Sequence, residues 1–478
     1  MTSLEEAFDA ASFRTQGHAL IDQIAEYFTR VRSTGTDSMP VLPWVDPESM
    51  RRAWPASFEK PGEQELSSLV ARVLAESNHL HHPRYMGHQV AVSLPLASLT
   101  DLVSSVLNNA MAIYETGPVS TSIERNLAAW LARQVGFGTG ADGIFTSGGS
   151  VGNLTALLAA RSAMAGYDLW EEGSHAGPPL ALLASEQTHY CVKRAVQIMG
   201  WGAKGVSPVA VDGRFRMKAA ALADAKKRAE DAGRRVIAVV ASAASTATGA
   251  FDPLDEVADF CEANKLWFHV DGAHGASAVL SEKYRHLTRG IERADSVVWD
   301  AHKMMLMPSL LTAVLFRDGK RSYEAFAQQA SYLFDGAARP EDEWFNSGTR
   351  TLECSKSMMA TKLFVGLSVY GKELFADYVT RMFDLGARFA ERLETAPDFE
   401  LPAPPDGNIV CFRYMPPGLA VDKDALQLKI RRQILGDGSF YIVQTRLPSG
   451  LHLRVTFMNP FTSAADLDAL IDRVRAAA

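Results

Sequence analysis

The sequence predicts an α/β protein built on a mainly parallel sheet with helices on both faces. From about residue 120, short apolar runs of strand length alternate with helical stretches of crossover length. Several runs, such as Val236–Ala241, carry no polar alternation, as strands buried on both faces do. No internal repeat or low-complexity tract interrupts the alternation, so strands feeding crossover helices are the simplest arrangement.

Near the N-terminus, Phe13–Val31 predicts a helix, and Pro40, Pro43, Pro47 and Pro55 keep the next stretch of chain from forming any long element. Such an arm has little core of its own and must pack on something, a second subunit being the natural partner. Gly143–Ser147 reads as a strand running into Gly148-Gly149-Ser150, then a helix with Val151, Leu154, Leu157 and Leu158 on one face. Leu180–Ala184 is a second strand, with a helix from about His189 to Met199. Val209–Val211 is a short third strand and Ala219–Ala232 a helix. Val236–Ala241 precedes a helix over Leu254–Asn264, with Asp252 placed to cap it and Pro253 suited to its first position. Trp267–Val270 and Ser296–Trp299 are further strands, and Leu310–Phe316 turns back from the latter. A long helical pattern runs from Gly348 to about Glu394. The last segment mixes strands (Ile409–Tyr414, Phe440–Gln444, Leu451–Thr456) with helices (Lys423–Leu435, Ala464–Ala476). Prolines cluster near Ala396–Gly407, which reads as a linker. The expected organisation is an N-terminal helical arm over 1–80, a large domain over 81–396 and a small α+β domain over 397–478.

At 478 residues the chain has the length of about three ~150-residue domains, and 47% hydrophobic with 22% charged residues is ordinary globular composition. A net charge of −7 offers no basic field to nucleic acid or an anionic membrane. The cluster Lys226-Lys227-Arg228 with Arg234-Arg235 lies on an Ala-rich helical pattern and reads as a solvated face. Cys191, Cys261, Cys354 and Cys411 have neither metal-ligand nor disulfide-framework spacing, which fits a reducing compartment. The acidic N-terminus lacks an apolar signal core, and the longest uncharged stretch, Gly143–Ala160, falls short of the ~20 residues of a membrane span. The expectation is a cytoplasmic protein without nucleic-acid or membrane partners.

Ligands of open parallel sheets sit at the carboxyl ends of the strands. Three strand ends here carry unusual residues: Asp271 with Gly272-Ala273-His274, Asp300 with Ala301-His302-Lys303, and the Gly148-Gly149-Ser150 turn at a helix start. Each answers a need of a phosphorylated pyridine aldehyde. A lysine amine forms an imine with a carbonyl. A carboxylate keeps the ring nitrogen protonated. Glycines at a helix N-terminus let backbone N–H groups reach a phosphate. The flat imidazole of His189 can stack on the ring. Taken singly, each has an ordinary alternative: Asp271 as a helix cap, the Gly-Gly-Ser as a turn, Lys303 as a surface lysine, His274 and His302 as core histidines. Their conjunction at strand ends, in the order phosphate loop, His, Asp, Lys, favours the cofactor.

His82-Pro83-Arg84-Tyr85, Thr146-Ser147-Gly148-Gly149-Ser150-Val151-Gly152-Asn153-Leu154, His269-Val270-Asp271-Gly272-Ala273 and Asp300-Ala301-His302-Lys303 resemble the group II pyridoxal-phosphate decarboxylases, which act on aromatic amino acids, glutamate, cysteine sulfinate or diaminobutyrate. The resemblance runs from about residue 12 to the C-terminus. It implies the fold type I architecture of pyridoxal-phosphate transferases, pyridoxal 5'-phosphate as cofactor, and decarboxylation of an L-amino acid to an amine and carbon dioxide. It makes Lys303 the imine-forming lysine, Asp271 the partner of the pyridine nitrogen and His189 the stacking residue. Gly149, Ser150, Asp300 and His302 would surround the phosphate, with Thr246 near the cofactor. Tyr332 resembles the loop tyrosine that returns a proton to Cα, and Asp335–Glu343 reads as a loop able to close. It also implies a homodimer with an exchanged N-terminal arm and an active site at the subunit interface. Substrate contacts are expected from Tyr85, His88 and His274, and no metal is implied.

Three departures bear on those roles. Position 300 is Asp where the family commonly has Asn, which sets a negative charge near a phosphate unless the side chain turns away. Position 274 is His where several relatives carry an aromatic ring, and Ala244-Ser245-Thr246 replaces the usual Gly-Thr-Thr. The surroundings of Met86-Gly87-His88 resemble bacterial diaminobutyrate, glutamate or aspartate decarboxylases more than animal aromatic ones. The rival readings are another pyridoxal-phosphate reaction (aldehyde synthesis, transamination or carbon–carbon cleavage), a metal-dependent hydrolase using Asp271, His274, Asp300 and His302, and a non-catalytic protein on the same fold.

Overall fold

The computed structural model describes residues 3–33, 39–58, 65–326, 344–418 and 422–478. Tyr332 and the Asp335–Glu343 segment lie outside the described residues. The chain forms two compact units, one of Gln89–Arg392 with Leu401–Cys411, the other of Met1–His88, Leu393–Glu400 and Phe412–Ala478.

The larger unit is built on seven strands: β1 (Asp142–Thr146), β2 (Leu180–Ser185), β3 (Val206–Val209), β4 (Arg235–Ser242), β5 (Trp267–Asp271), β6 (Ser296–Asp300) and β7 (Thr312–Phe316). Their order is β1-β7-β6-β5-β4-β2-β3. The pairs from β6 through β5, β4 and β2 to β3 are parallel, and β7 runs antiparallel to both β6 and β1. Two reversals restore direction, so β1 ends at the same edge of the sheet as β4, β5 and β6. That edge receives the Gly-Gly-Ser turn, Ser242, Asp271 and Asp300 together. The core is apolar on both faces of the sheet. Ala156, Leu157 and Ala160 of the Gly149–Met164 helix pack with Ile144, Leu182, Ile237 and Val240 of the strands.

Three local expectations shift. The third strand is Val206–Val209 rather than Val209–Val211, and it contains Pro208. It is the edge strand of its sheet, where a missing N–H costs no ladder bond. Asp252 does not cap the Leu254–Asn264 helix. It is buried, and its oxygens accept the N–H of Met217 and of Ser242, both at 2.7 Å, tying β4 to the loop after it. Burial nonetheless pushes its carboxyl up to about 6.

A second sheet has the order β10-β11-β9-β8, with β8 (Phe399–Glu400), β9 (Ile409–Tyr414), β10 (Val443–Leu447) and β11 (Gly450–Thr456). β10 starts three residues later than the apolar run predicts. The Tyr441 backbone is already engaged with the 84–86 segment, donating to Arg84 O and accepting from Met86 N. No helix among the described residues is long and apolar enough to cross a membrane.

Candidate active site

Gly149, Ser150, His189, Thr246, Asp271, His274, Asp300, His302 and Lys303 line one cavity of about 360 Å³ in the larger unit, within the ~300–1,000 Å³ range of small-molecule sites. Tyr85 and His88 belong to the other unit, where the Tyr85 ring is buried and stacks on Tyr441 with centroids 5.1 Å apart.

The cavity floor is made by the strand ends. Asp271 closes β5; its backbone oxygen accepts from Ala243 N, and its Oδ1 accepts from Ala273 N at 3.3 Å. Ser242, directly across the ladder on β4, is in register with Asp271 and shares its face of the sheet. Its hydroxyl is buried without a hydrogen-bond partner and also borders the cavity. An unmet buried hydroxyl costs about 1–3 kcal/mol, so this one is suited to a ligand group.

Asp300 closes β6 and is 1% exposed. Oδ1 accepts from Thr312 Oγ1 at 2.5 Å, its cross-strand neighbour on β7. Oδ2 lies 2.9 Å from Lys303 Nζ and 3.6 Å from His302 Nε2. The side chain therefore does not turn away from the Gly148–Ser150 turn. A Cβ on Gly149 would sit 3.0 Å from Asp300 Oδ2, so glycine lets the helix start rest on this carboxylate without displacing it. The preceding Gly148 has φ of 109°, which side-chain-bearing residues avoid. Burial pulls the Lys303 ammonium down, but the Asp300 charge and hydrogen bond, reinforced by Asp271, outweigh it and leave the group raised. The lysine side chain remains 20% exposed and so is reachable from the cavity.

His189 precedes the Tyr190–Ile198 helix and caps it, its Nδ1 accepting from Cys191 N at 3.4 Å. Burial, against the pull of Asp271 and Asp300, holds its imidazole below the ordinary range, so the ring is neutral at pH 7. His302 is held through Nδ1 by the Leu311 backbone. His274 Nε2 bonds Asn408 Oδ1 at 2.8 Å.

Behind the loop runs a polar chain that sequence reading missed. Trp267 Nε1 donates to Ser296 Oγ, which faces His269 Nδ1 at 2.8 Å. His269 Nε2 meets Asn153 Oδ1 at 2.8 Å, and Asn153 Nδ2 donates to Gly149 O at 2.8 Å. Burial pushes His269 down to about 4, so the ring is neutral; an amide oxygen opposite Nε2 places the proton there. Ser147 Oγ, at the same turn, donates to Glu353 Oε1 at 2.6 Å.

A phosphorylated pyridine aldehyde fits this set. The helix N-terminus offers N–H groups past a glycine cradle, an amine stands at the cavity wall, and a carboxylate and an unpaired hydroxyl lie side by side at its floor. Among the described residues no group of three or more His, Cys, Asp or Glu side chains is arranged to hold a metal ion.

Comparison with known proteins agrees with this chemistry. The pyridoxal-dependent decarboxylase conserved domain matches residues 47–415. The acidic amino acid decarboxylase of Mus musculus is 31% identical over 91% of this chain and 81% of its own. The cysteine sulfinic acid decarboxylase of the same species is 30% identical over 91% and 90%. The aromatic-L-amino-acid decarboxylase of Bacillus atrophaeus is 28% identical over 98% and 96%. The crystal structure of mouse CSAD superposes with a TM-score of 0.90 at 27% identity, covering 98% of this chain and 99% of that one. With the fold type I sheet, the amine at its edge and this match across most of its length, the chain belongs to the pyridoxal-dependent decarboxylase family and is a pyridoxal-phosphate-dependent amino-acid decarboxylase.

Proposed function

We propose that this enzyme removes the α-carboxylate of a short acidic L-amino acid, with Lys303 carrying the cofactor and Asp271 facing its pyridine nitrogen. The observation that carries the assignment is the single cavity joining the Lys303 amine, the Asp271 carboxylate and the Gly148–Ser150 helix start. When bound, pyridoxal phosphate supplies an electron-poor ring that takes up the electron pair left as carbon dioxide departs.

The remaining work falls to the protein's own groups. The Gly148–Ser150 backbone and the N-terminal dipole of the Gly149–Met164 helix hold the phosphate end. Asp271, 7% exposed, places a fixed negative charge in a low-dielectric site, where it acts more strongly than in water. The neutral His189 ring offers a flat face without adding positive charge. Tyr332 delivers the proton to Cα.

Acidic substrates are favoured by two things. The relatives at 30–31% identity carry names of acidic amino acid and cysteine sulfinic acid decarboxylases. The cavity wall at position 274 is an imidazole fixed by Asn408, a polar surface suited to a carboxylate-bearing side chain rather than an aromatic ring. A carbon-dioxide release screen over the common L-amino acids and cysteine sulfinate tests this. Fastest turnover of glutamate, aspartate or cysteine sulfinate is expected; fastest turnover of an aromatic substrate overturns it.

A homodimer is part of the proposal. The Pro95–Leu107 helix exposes Leu102, Val103, Val106 and Leu107, and the Thr361–Tyr370 helix exposes Phe364, Val369 and Tyr370. The Lys362–Asp101 ion pair at 2.9 Å joins these two helices. An apolar surface of this extent suits burial against a second copy. Sedimentation of wild type as a dimer and of Val106→Glu as a monomer is expected; a wild-type monomer at micromolar concentration refutes it. A cytoplasmic location is supported by the four free cysteines.

A further inference from the structure

Asp300 stands where the phosphate end of the cofactor must go. Its carboxylate rests on Gly149, the first residue of the phosphate-loop helix, and all its short contacts are internal: Thr312 Oγ1, Lys303 Nζ and, at longer range, His302 Nε2. A buried carboxylate is tolerated here because an ammonium, a hydroxyl and a helix N-terminus face it. Those are also the groups that cofactor loading must recruit.

We propose that Asp300 is an internal counter-anion that gates cofactor loading, clamping Lys303 as an ammonium and competing with the incoming phosphate for the helix N-terminus. To load, the ammonium leaves Asp300 and loses its proton to solvent. The neutral amine then adds to the cofactor's aldehyde carbon, and water leaves as the C=N bond forms. Each stage opposes the Asp300 charge: deprotonation removes its counter-ion, and the phosphate brings a second anion beside it. Among the described residues, the other charged or titratable groups facing Lys303 are Asp271 on β5, Cys191 on the Tyr190–Ile198 helix and His189, the N-cap of that helix. Asp271 supports the ammonium as Asp300 does, but lacks the direct contact.

Asp300→Asn tests the gate. The amide keeps an oxygen for Thr312 and removes the charge. Apoenzyme mixed with pyridoxal phosphate is followed by the rise of the lysine-bound cofactor's visible absorbance. Loading of the variant at pH 7 is expected to be severalfold faster, because without the Asp300 charge a larger share of Lys303 is the neutral amine that adds to the aldehyde. Its rate should also reach a plateau at lower pH. Inorganic phosphate should slow the variant at lower concentration than it slows wild type. Superimposable rates and pH profiles overturn the proposal, as does a slower variant. If Asp300→Asn does not fold, wild-type apoenzyme alone decides: the loading rate must climb through the alkaline range, and a flat profile refutes the clamp. The proposal rests on the assignment of Lys303 to the cofactor. A Lys303→Ala protein that still develops the band would sink that assignment, whereas equal loading of wild type and Asp300→Asn sinks only the gate.

Discussion

Nε2 of His269 lies 2.8 Å from Oδ1 of Asn153, joining two side chains 116 residues apart where the sheet meets the Gly149–Met164 helix. The Asn153 amide then donates to Gly149 O, so the position of the helix start is set by a strand residue of the His-Val-Asp motif. A fixed tautomer makes this a directional chain from Trp267 to Gly149 rather than a loose cluster.

Asn153→Ala leaves His269 Nε2 and Gly149 O without those partners in the interior. Gly149 O keeps the backbone N–H of Asn153 as its helical partner, so the one unmet group, His269 Nε2, predicts a loss of about 1–3 kcal/mol in apoenzyme stability. Cofactor affinity should fall as well, because the loop loses its anchor. Urea unfolding and a spectroscopic titration with pyridoxal phosphate measure the two. Unchanged affinity in a destabilised protein would make Asn153 a packing residue only.

Asp271 and Lys303 should separate cleanly in their effects. Lys303→Ala removes the visible absorbance of lysine-bound cofactor. Asp271→Asn is isosteric, should leave that absorbance in place and, if Asp271 faces the ring nitrogen as proposed, takes the negative charge from that end of the ring. Loss of one such electrostatic contribution in a closed site predicts a fall in kcat on the order of a hundredfold. An Asp271→Asn enzyme with wild-type turnover would show that the ring nitrogen is partnered elsewhere.

Much of this was legible because strand ends are legible. The apolar runs locate β4, β5 and β6 within a residue or two, and the carboxyl-edge rule then brings Asp271, Asp300 and the Gly-Gly-Ser turn into one place. What stayed hidden depends on register and packing. Thr312 faces Asp300 only because β6 and β7 pair with that particular alignment. Asn153 lies one turn inside a helix, and nothing in its local sequence says that a histidine of β5 will face it. Asn408 reaches His274 across 134 residues of chain. Ser242 was within reach of the same edge rule, since it comes immediately after the Val236–Ala241 run, but a serine attracts no notice until its hydroxyl is found without a partner. Asp252 failed differently: the helix takes Pro253 as its N-cap rather than its first residue, which leaves Asp252 one residue outside the capping position, and its oxygens accept two interior backbone N–H groups instead.

Tyr332→Phe keeps the ring and removes the phenolic proton. If Tyr332 protonates Cα, amine formation should fall by on the order of 10²-fold or more, the usual contribution of a positioned acid. Aldehyde is expected among the products in its place. Product analysis by chromatography reads both. Undiminished amine output removes Tyr332 from the mechanism.

Acid should destabilise the protein through histidines that native burial keeps neutral. His269, fully buried, is pushed down to about 4, and burial drives His79 and His81 to about 4 as well. Both ring nitrogens of His79 lack hydrogen-bond partners. Between the unfolded value of ~6.5 and the native value, the unfolded chain binds protons that the native state refuses, so stability falls as pH drops through this window. At pH 5 each such histidine costs about 2 kcal/mol relative to neutral pH. Carboxylates contribute equally to wild type and to a histidine variant, so comparing the two isolates the histidine. His79→Phe, which preserves an aromatic ring beside Tyr27, should lose less stability between pH 7 and pH 5 than wild type does, by about that amount. Parallel pH dependences in urea unfolding would mean that His79 takes up its proton in the folded state without penalty.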